Sequence, residues 1–242
     1  MILNFDLQFC LLTFEFIILV MRQYKYTDII TAVFAAILIL SNIGSSKILS
    51  LGWFSFDGGT ILFPLVYIFG DILTEVYGYA RARRVIWIGF AMNLLMVVVF
   101  WTIGKLPPAM DWGNQAAFDS ILGVVPRIVL ASLIAYLFGE FINSYVLAKL
   151  KIKTQGKYFW LRALGSTIVG EFFDTSIFLV IAFAGVLPWD LIWVLWVSNY
   201  IFKVGTEFVL LPVTYRIVAW LKKKEEEDYY DRDTNFNPIK IV

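Results

Sequence analysis

Histidine is absent from this 242-residue chain, and cysteine occurs once, as Cys10. Without an imidazole there is no histidine ligand for a metal and no base for a Ser-His-Asp or Cys-His catalytic group. A lone thiol builds neither a zinc–thiolate cluster nor an internal disulfide. No metal and no cofactor are therefore expected. Charge is also scarce, at 16% of residues, against about 25% in a soluble domain. A GxxxxGK[ST] phosphate loop is missing, which removes ATP hydrolysis by that route. The net charge is only +1, and the basic residues sit where membrane topology wants them, so nothing argues for nucleic acid.

What fills the chain is apolar: 60% hydrophobic residues and a mean hydropathy of +0.76. Such a composition predicts an all-α polytopic membrane protein, and six stretches are apolar enough to span a bilayer. They are Thr27–Leu51, the first part of Thr60–Arg84, Val85–Gly104, Arg127–Leu150 opened by Pro126, Phe159–Leu187, and about Trp193–Leu221. This divides the chain into an N-terminal extension (1–24), a six-helix transmembrane domain (25–221) and a charged tail (222–242) that reads as solvated and poorly ordered. Met1–Val20 carries Asp6, Gln8 and Glu15 and lacks the basic start and cleavage site of a signal peptide. Either translation starts at Met21, or this segment is a peripheral or marginally inserted helix. Gly52–Gly59 is expected to form a small hairpin or an interfacial loop, and Pro64 to bend the second span.

The rest of the chain is organised around Thr60–Arg84. It begins as a span, ends in Arg81, Arg83 and Arg84, and carries Asp71 and Glu75 four residues apart, on one helical face. A carboxylate facing lipid costs several kcal/mol, so both should face a protein interior. The Arg81–Arg84 cluster, the basic loop of Lys149, Lys151, Lys153 and Lys157, and Lys222–Lys224 all fall on one side of a six-span layout. That asymmetry places both ends of the six-helix core in the cytoplasm, in the cell membrane, or the inner membrane of a Gram-negative source.

The other spans bring more charge to this pair. Asp71, Glu75, Glu140, Glu171, Asp174 and Glu207 are acidic, while Lys47, Arg127, Arg162 and Lys203 are basic. Interhelical ion pairs would account for any one of them, but the surplus of carboxylates exceeds what assembly needs. Small serines of the first span suit helix packing, whereas Asn42 and a deep Lys47 invite a polar partner. The candidate substrate-binding residues are Asn42, Lys47, Tyr67, Asp71, Glu75, Asn143, Arg162, Glu171, Asp174, Lys203 and Glu207. A solute transporter fits this pattern best. An intramembrane enzyme fits poorly, because the GxGD motif of aspartyl intramembrane proteases is not met at Ile68–Asp71. Ala32 and Ala36 form a small-xxx-small pair, a contact face for another helix or for a separate ATPase module.

Five blocks resemble the queuosine precursor transporter family, also called the vitamin uptake transporter family. They are SNIGSSK (Ser41–Lys47), FPLVYIFGDILTEVYGYARARR (Phe63–Arg84), GEFINSYVLAKLK (Gly139–Lys151), LRALGSTIVGEFFDTSIF (Leu161–Phe178) and NYIFKVGTEF (Asn199–Phe208). The resemblance covers about Tyr24–Leu221. It implies a six-helix bundle like the substrate-binding components of energy-coupling-factor transporters, either acting alone or as such a component. It also implies uptake of deazaguanine bases, the cyano and aminomethyl precursors of queuosine. For such a ligand one carboxylate would take two adjacent ring donors, Lys203 or Asn143 would meet the carbonyl, and Tyr67, Phe173 or Tyr200 would stack on the ring.

Overall fold

The structure is a computed structural model describing residues 24–51, 54–123 and 126–239. The readings of Met1–Val20 lie outside the described residues. Among them, seven α-helices follow in order: α1 (Thr27–Gly44), α2 (Phe63–Tyr77), α3 (Tyr79–Lys105), α4 (Gln115–Leu122), α5 (Pro126–Lys153), α6 (Phe159–Phe183) and α7 (Trp189–Glu225). Six segments are long and apolar enough to cross a membrane, α2 together with the single 3₁₀ turn Gly58–Ile61 before it. The protein is thus an all-α, multi-pass membrane protein, with one two-stranded hairpin among the described residues. β1 (Ile48–Leu51) pairs antiparallel with β2 (Phe54–Asp57), a hairpin of which only the second strand falls within the expected Gly52–Gly59 loop and the first within the expected span.

The first span is shorter than Thr27–Leu51. It ends at Gly44, where the amides of Ser45, Ser46 and Lys47 fold back onto Ser41, Ile43 and Gly44 carbonyls before the hairpin begins. Lys47 consequently lies past the helix and is exposed. Pro64 does not bend its span either. It occupies the first turn of α2, where a missing N–H leaves no helical bond unmade.

α2 sits at the centre. Twelve of its residues are buried, from Pro64 to Tyr77, so it has almost no lipid face. The surrounding helices show the opposite pattern: on α3 only one flank is buried (Ala82, Val85, Ile86, Gly89, Asn93), while Leu94, Leu95, Val98 and Trp101 are exposed. In a bilayer those outward apolar side chains face hydrocarbon. The core joins Phe34 and Leu38 of α1, Val66, Ile72 and Val76 of α2, Ile86 of α3, Tyr136 and Leu147 of α5, and Leu211 and Val218 of α7.

α2 and α3 meet at one residue, Gly78, whose φ of +86° an L side chain rarely adopts. Arg81, Arg83 and Arg84 therefore belong to the first turns of α3 and not to a loop. α7 runs four residues beyond its expected end at Leu221.

The tail is packed onto the protein, contrary to its solvated composition. Asp231 accepts the Tyr79 amide at 3.0 Å, so a tail carboxylate caps α3. Glu225 does the same for α1, accepting the amides of Lys25 (3.0 Å) and Tyr26 (2.8 Å). Arg83, placed at a helix start where the dipole disfavours it, donates to the Asn235 and Asn237 carbonyls at 2.8 and 2.7 Å. Tyr229 covers Gly78 and Tyr230 covers Gly156, leaving no room for a Cβ at either. Burial raises the Asp231 carboxyl above its ordinary range, against the opposing Tyr79 amide.

Candidate functional site

Four helices place polar side chains on their inward stripes. α2 contributes Tyr67, Asp71, Thr74 and Glu75; α5 contributes Glu140, Asn143, Ser144 and Lys151. α6 adds Arg162, Ser166, Thr167, Glu171, Asp174 and Thr175, and Glu207 and Thr214 come from α7. The spacings of three, four and seven keep each set on one face. Close approach of α5 and α6 depends on Gly139 and Gly170. A Cβ on Gly170 would lie 2.9 Å from the Asn143 Cβ and 3.0 Å from the Gly139 carbonyl, with the Tyr67 ring in the same groove.

The stripe divides into two zones. At the end shared with the tail, Glu75 is enclosed by cations. Arg162 holds it with both guanidinium arms, Nη1 to Oε2 at 2.6 Å and Nη2 to Oε1 at 3.1 Å. Lys222 Nζ lies 2.6 Å from Glu75 Oε1, and Lys151 Nζ 3.7 Å from it. Both lysines also meet Asp228, at 2.8 and 2.5 Å. Although partial burial pushes the Asp228 carboxyl up, hydrogen bonds from Lys151 and Lys222 hold it below its usual range. This zone is an ion network whose carboxylates are matched by cations, with Arg162 Nε the one guanidinium nitrogen left without a hydrogen bond.

One turn further along α2 the balance reverses. Asp71 accepts one hydrogen bond, from Asn143 Nδ2 at 2.8 Å, and faces the Glu207 carboxyl. Asp71 Oδ2, both oxygens of Glu207 and of Glu140, Asn143 Oδ1 and the Tyr67 hydroxyl have no hydrogen bond of good geometry. Glu140 lies against the backbone of Gly70. Lys203 is the one cation among these groups, bonded to Glu171 at 2.9 Å and Asp174 at 2.6 Å, with its ammonium 4.4 Å from the Phe63 ring centre. Five largely buried carboxyls thus share a single ammonium, that of Lys203, which is itself 11% exposed.

Of the candidate residues, Tyr67, Asp71, Asn143, Glu171, Asp174, Lys203 and Glu207 come together in this acidic zone. Glu75 and Arg162 form the ion network beside it. Asn42 joins neither zone: it donates to Asn93 and the Leu38 carbonyl at 2.9 Å and accepts from Ser132, tying α1, α3 and α5 together. Lys47 is outside the bundle interior altogether. Phe173 is exposed, in edge contact with Phe172. Tyr200 stacks on Trp196 at 5.0 Å and donates to the Ile168 carbonyl, so its ring is already engaged. Glu140, absent from the candidate set, sits inside the acidic zone; its three-residue spacing from Asn143 was the signal.

Six spans closed around a buried, carboxylate-rich interior define a polytopic membrane protein of the transporter class. The family described as "Putative vitamin uptake transporter" matches residues 57–217, more than half of the chain, and this chain belongs to it. It is 34% identical over 158 residues to the "Probable queuosine precursor transporter" of Bacillus subtilis (strain 168), covering 65% of this chain and 69% of that one. With the "Queuosine precursor transporter" of Escherichia coli (strain K12) it shares 30% identity over 125 residues, 52% of this chain and 54% of the other. A "Probable queuosine precursor transporter" of Haemophilus influenzae is 28% identical over 132 residues, 54% of each chain. No solved structure matches.

Proposed function

We propose that this protein carries queuosine precursors, cyano- and aminomethyl-deazaguanine, across the cell membrane into the cytoplasm. The names of its relatives support the substrate class. The observation that carries the reading is the Asp71–Asn143 pair, wholly buried and left with open acceptors at Asp71 Oδ2 and Asn143 Oδ1. A deazaguanine presents its ring N1–H and exocyclic amine side by side, two donors suited to such acceptors. Lys203 would meet the carbonyl, Tyr67 would bound the ring, and Glu171, Asp174 or Glu207 would receive the cation of the aminomethyl form. Glu75 and Arg162 hold the adjoining end of the bundle, and Asn42 and Lys47 have no part in binding.

The test is uptake of labelled deazaguanine by cells lacking their own synthesis and transport. Uptake restored by this gene is expected; none, with the protein present in the membrane, overturns the reading. We infer that both ends of the 25–221 core are cytoplasmic; the gathering of Lys25, Arg81, Arg83, Lys151 and Lys222 at the end that carries the tail supports this. Reporters after Leu221 and within Ala80–Arg84 should read cytoplasm, and one within Asp111–Asp119 should read outside.

A second reading makes the chain the substrate-binding component of an energy-coupling-factor assembly. Ala32 and Ala36, one turn apart and exposed on α1, favour it as a seat for an ATPase module. Uptake by the purified chain alone in liposomes would exclude that requirement.

A further inference from the structure

Asp71 and Glu207 face each other inside the bundle, from α2 and α7. Asp71 Oδ1 accepts from Asn143, which fixes that atom as an acceptor. Asp71 Oδ2 and both Glu207 oxygens have no donor within reach in good geometry. Two facing carboxylates repel, and in a medium of low dielectric they stay together only when one carries a proton.

The neighbours make the same demand. Around this pair stand Glu140 from α5, Glu171, Asp174 and Thr167 from α6, and Glu75 one turn along α2. Glu75 is committed to Arg162 and Lys222, and Lys203 is committed to Glu171 and Asp174. Among the described residues no cation is left for Asp71, Glu207 or Glu140. Tyr67, 1% exposed with its hydroxyl unpartnered, faces Glu140, Glu171, Asp174 and Glu207 and supplies a neutral donor where a charge would be costly.

We propose that the Asp71–Glu207 pair is a proton-binding site, and that one proton enters the cell with each solute molecule. The proposal rests on the uptake function above. A ligand donating N–H groups to Asp71 needs that group ionised, which holds the shared proton on Glu207. Because the two carboxyls stay together only when one is protonated, a solute that binds the closed pair favours the protonated form, and by linkage the proton favours the solute in the same ratio. No bond is made or broken beyond the O–H. The proton comes from outside water, resides on Glu207 and leaves to the cytoplasm with the solute.

The test uses the full chain in proteoliposomes with labelled cyano-deazaguanine, which is uncharged. An acid-outside gradient should drive accumulation above the external level, about tenfold per pH unit for one proton per solute, and a protonophore should abolish it. For Glu207→Gln, the ratio of uptake with the gradient to uptake without it should fall to one. In detergent, at a pH raised until the empty protein has released this proton, adding solute to wild type should draw protons from a weakly buffered indicator solution. Counterflow with no response to the gradient overturns the proton site and leaves the substrate reading intact. Absence of counterflow in wild type overturns both.

Discussion

Asp71 and Glu75 are one helical turn apart on α2 and both wholly buried, yet their surroundings are opposite. Glu75 is gripped by Arg162 and Lys222 with Lys151 behind them, whereas Asp71 is met by one amide and confronts another carboxyl. The sequence marks the two as a matched pair, and at the level of helix geometry they are. What separates them is the chemistry brought by α5, α6 and α7, strands of the chain ~70–150 residues away along the sequence. An intramembrane carboxylate with its cations in place is part of the frame. One without them is free to take a ligand.

Breaking the frame should give the largest change in stability. Arg162→Ala leaves Glu75 with an incomplete set of donors, and loss of one partner from a buried pair typically costs about 3–5 kcal/mol. Thermal unfolding in detergent should show a large drop, with uptake falling because less protein folds. An unaltered melting temperature would put Glu75 outside the frame.

The acidic zone should respond in the other way. Asp71→Asn keeps shape and removes a charge that has no cation, so stability should hold or rise while uptake falls at least about tenfold, ~1.4 kcal/mol in transport free energy. Normal uptake by this variant would remove Asp71 from the solute path and collapse the contrast between the zones.

Lys203 sharpens the comparison, since it is the acidic zone's one compensated position. Lys203→Ala and Asp174→Asn should each destabilise, and the double variant should lose less than their sum, with a coupling of about 0.5–3 kcal/mol. Strict additivity would mean that the 2.6 Å contact contributes nothing measurable.

The smallest effect lies at the rim of the frame, where Asp228 is 44% exposed. Its carboxyl titrates below the usual range, so its contribution is present at neutral pH and is lost as pH falls through that lowered value. Tail protection against limited proteolysis should therefore weaken in acid below pH ~4, the ordinary carboxylate value. Asp228→Asn should flatten that dependence; an unchanged acid sensitivity would assign it to other groups.

The six spans and the central position of α2 were legible because hydropathy and helical spacing are local quantities. Which acid meets which cation is not local. Nothing in the spacing of Asp71 and Glu75 says that Arg162 and Lys222 reach only the second. Asn42 looked like a ligand group because its partners, Asn93 and Ser132, are distant and individually ordinary. The tail misled for a further reason: much of its grip runs through backbone, the Asn235, Asn237 and Pro238 carbonyls taking hydrogen bonds from Arg83 and Trp87, and side-chain composition carries no trace of that. Lys47 was misplaced because Ile48, Leu49 and Leu51 resume the apolar pattern after Ser45, Ser46 and Lys47, and hydropathy alone does not separate a continued helix from the strand they form.

The separation between Glu75 and its partners along the chain also sets a clock for biogenesis. Arg162 is made 87 residues after Glu75 and Lys222 147 residues after it. At a synthesis rate of about 5–20 residues per second, α2 waits roughly 4–17 s for the first of these cations and longer for the second. Through that interval its two carboxyls cannot rest ionised against lipid, so the helix must stay in the hydrated insertion machinery or remain protonated. The segment at the centre of the finished bundle is therefore the one that settles late. Variants of Arg162 would be expected to fail first as nascent chains, handed to quality control before a folded state exists to be unstable.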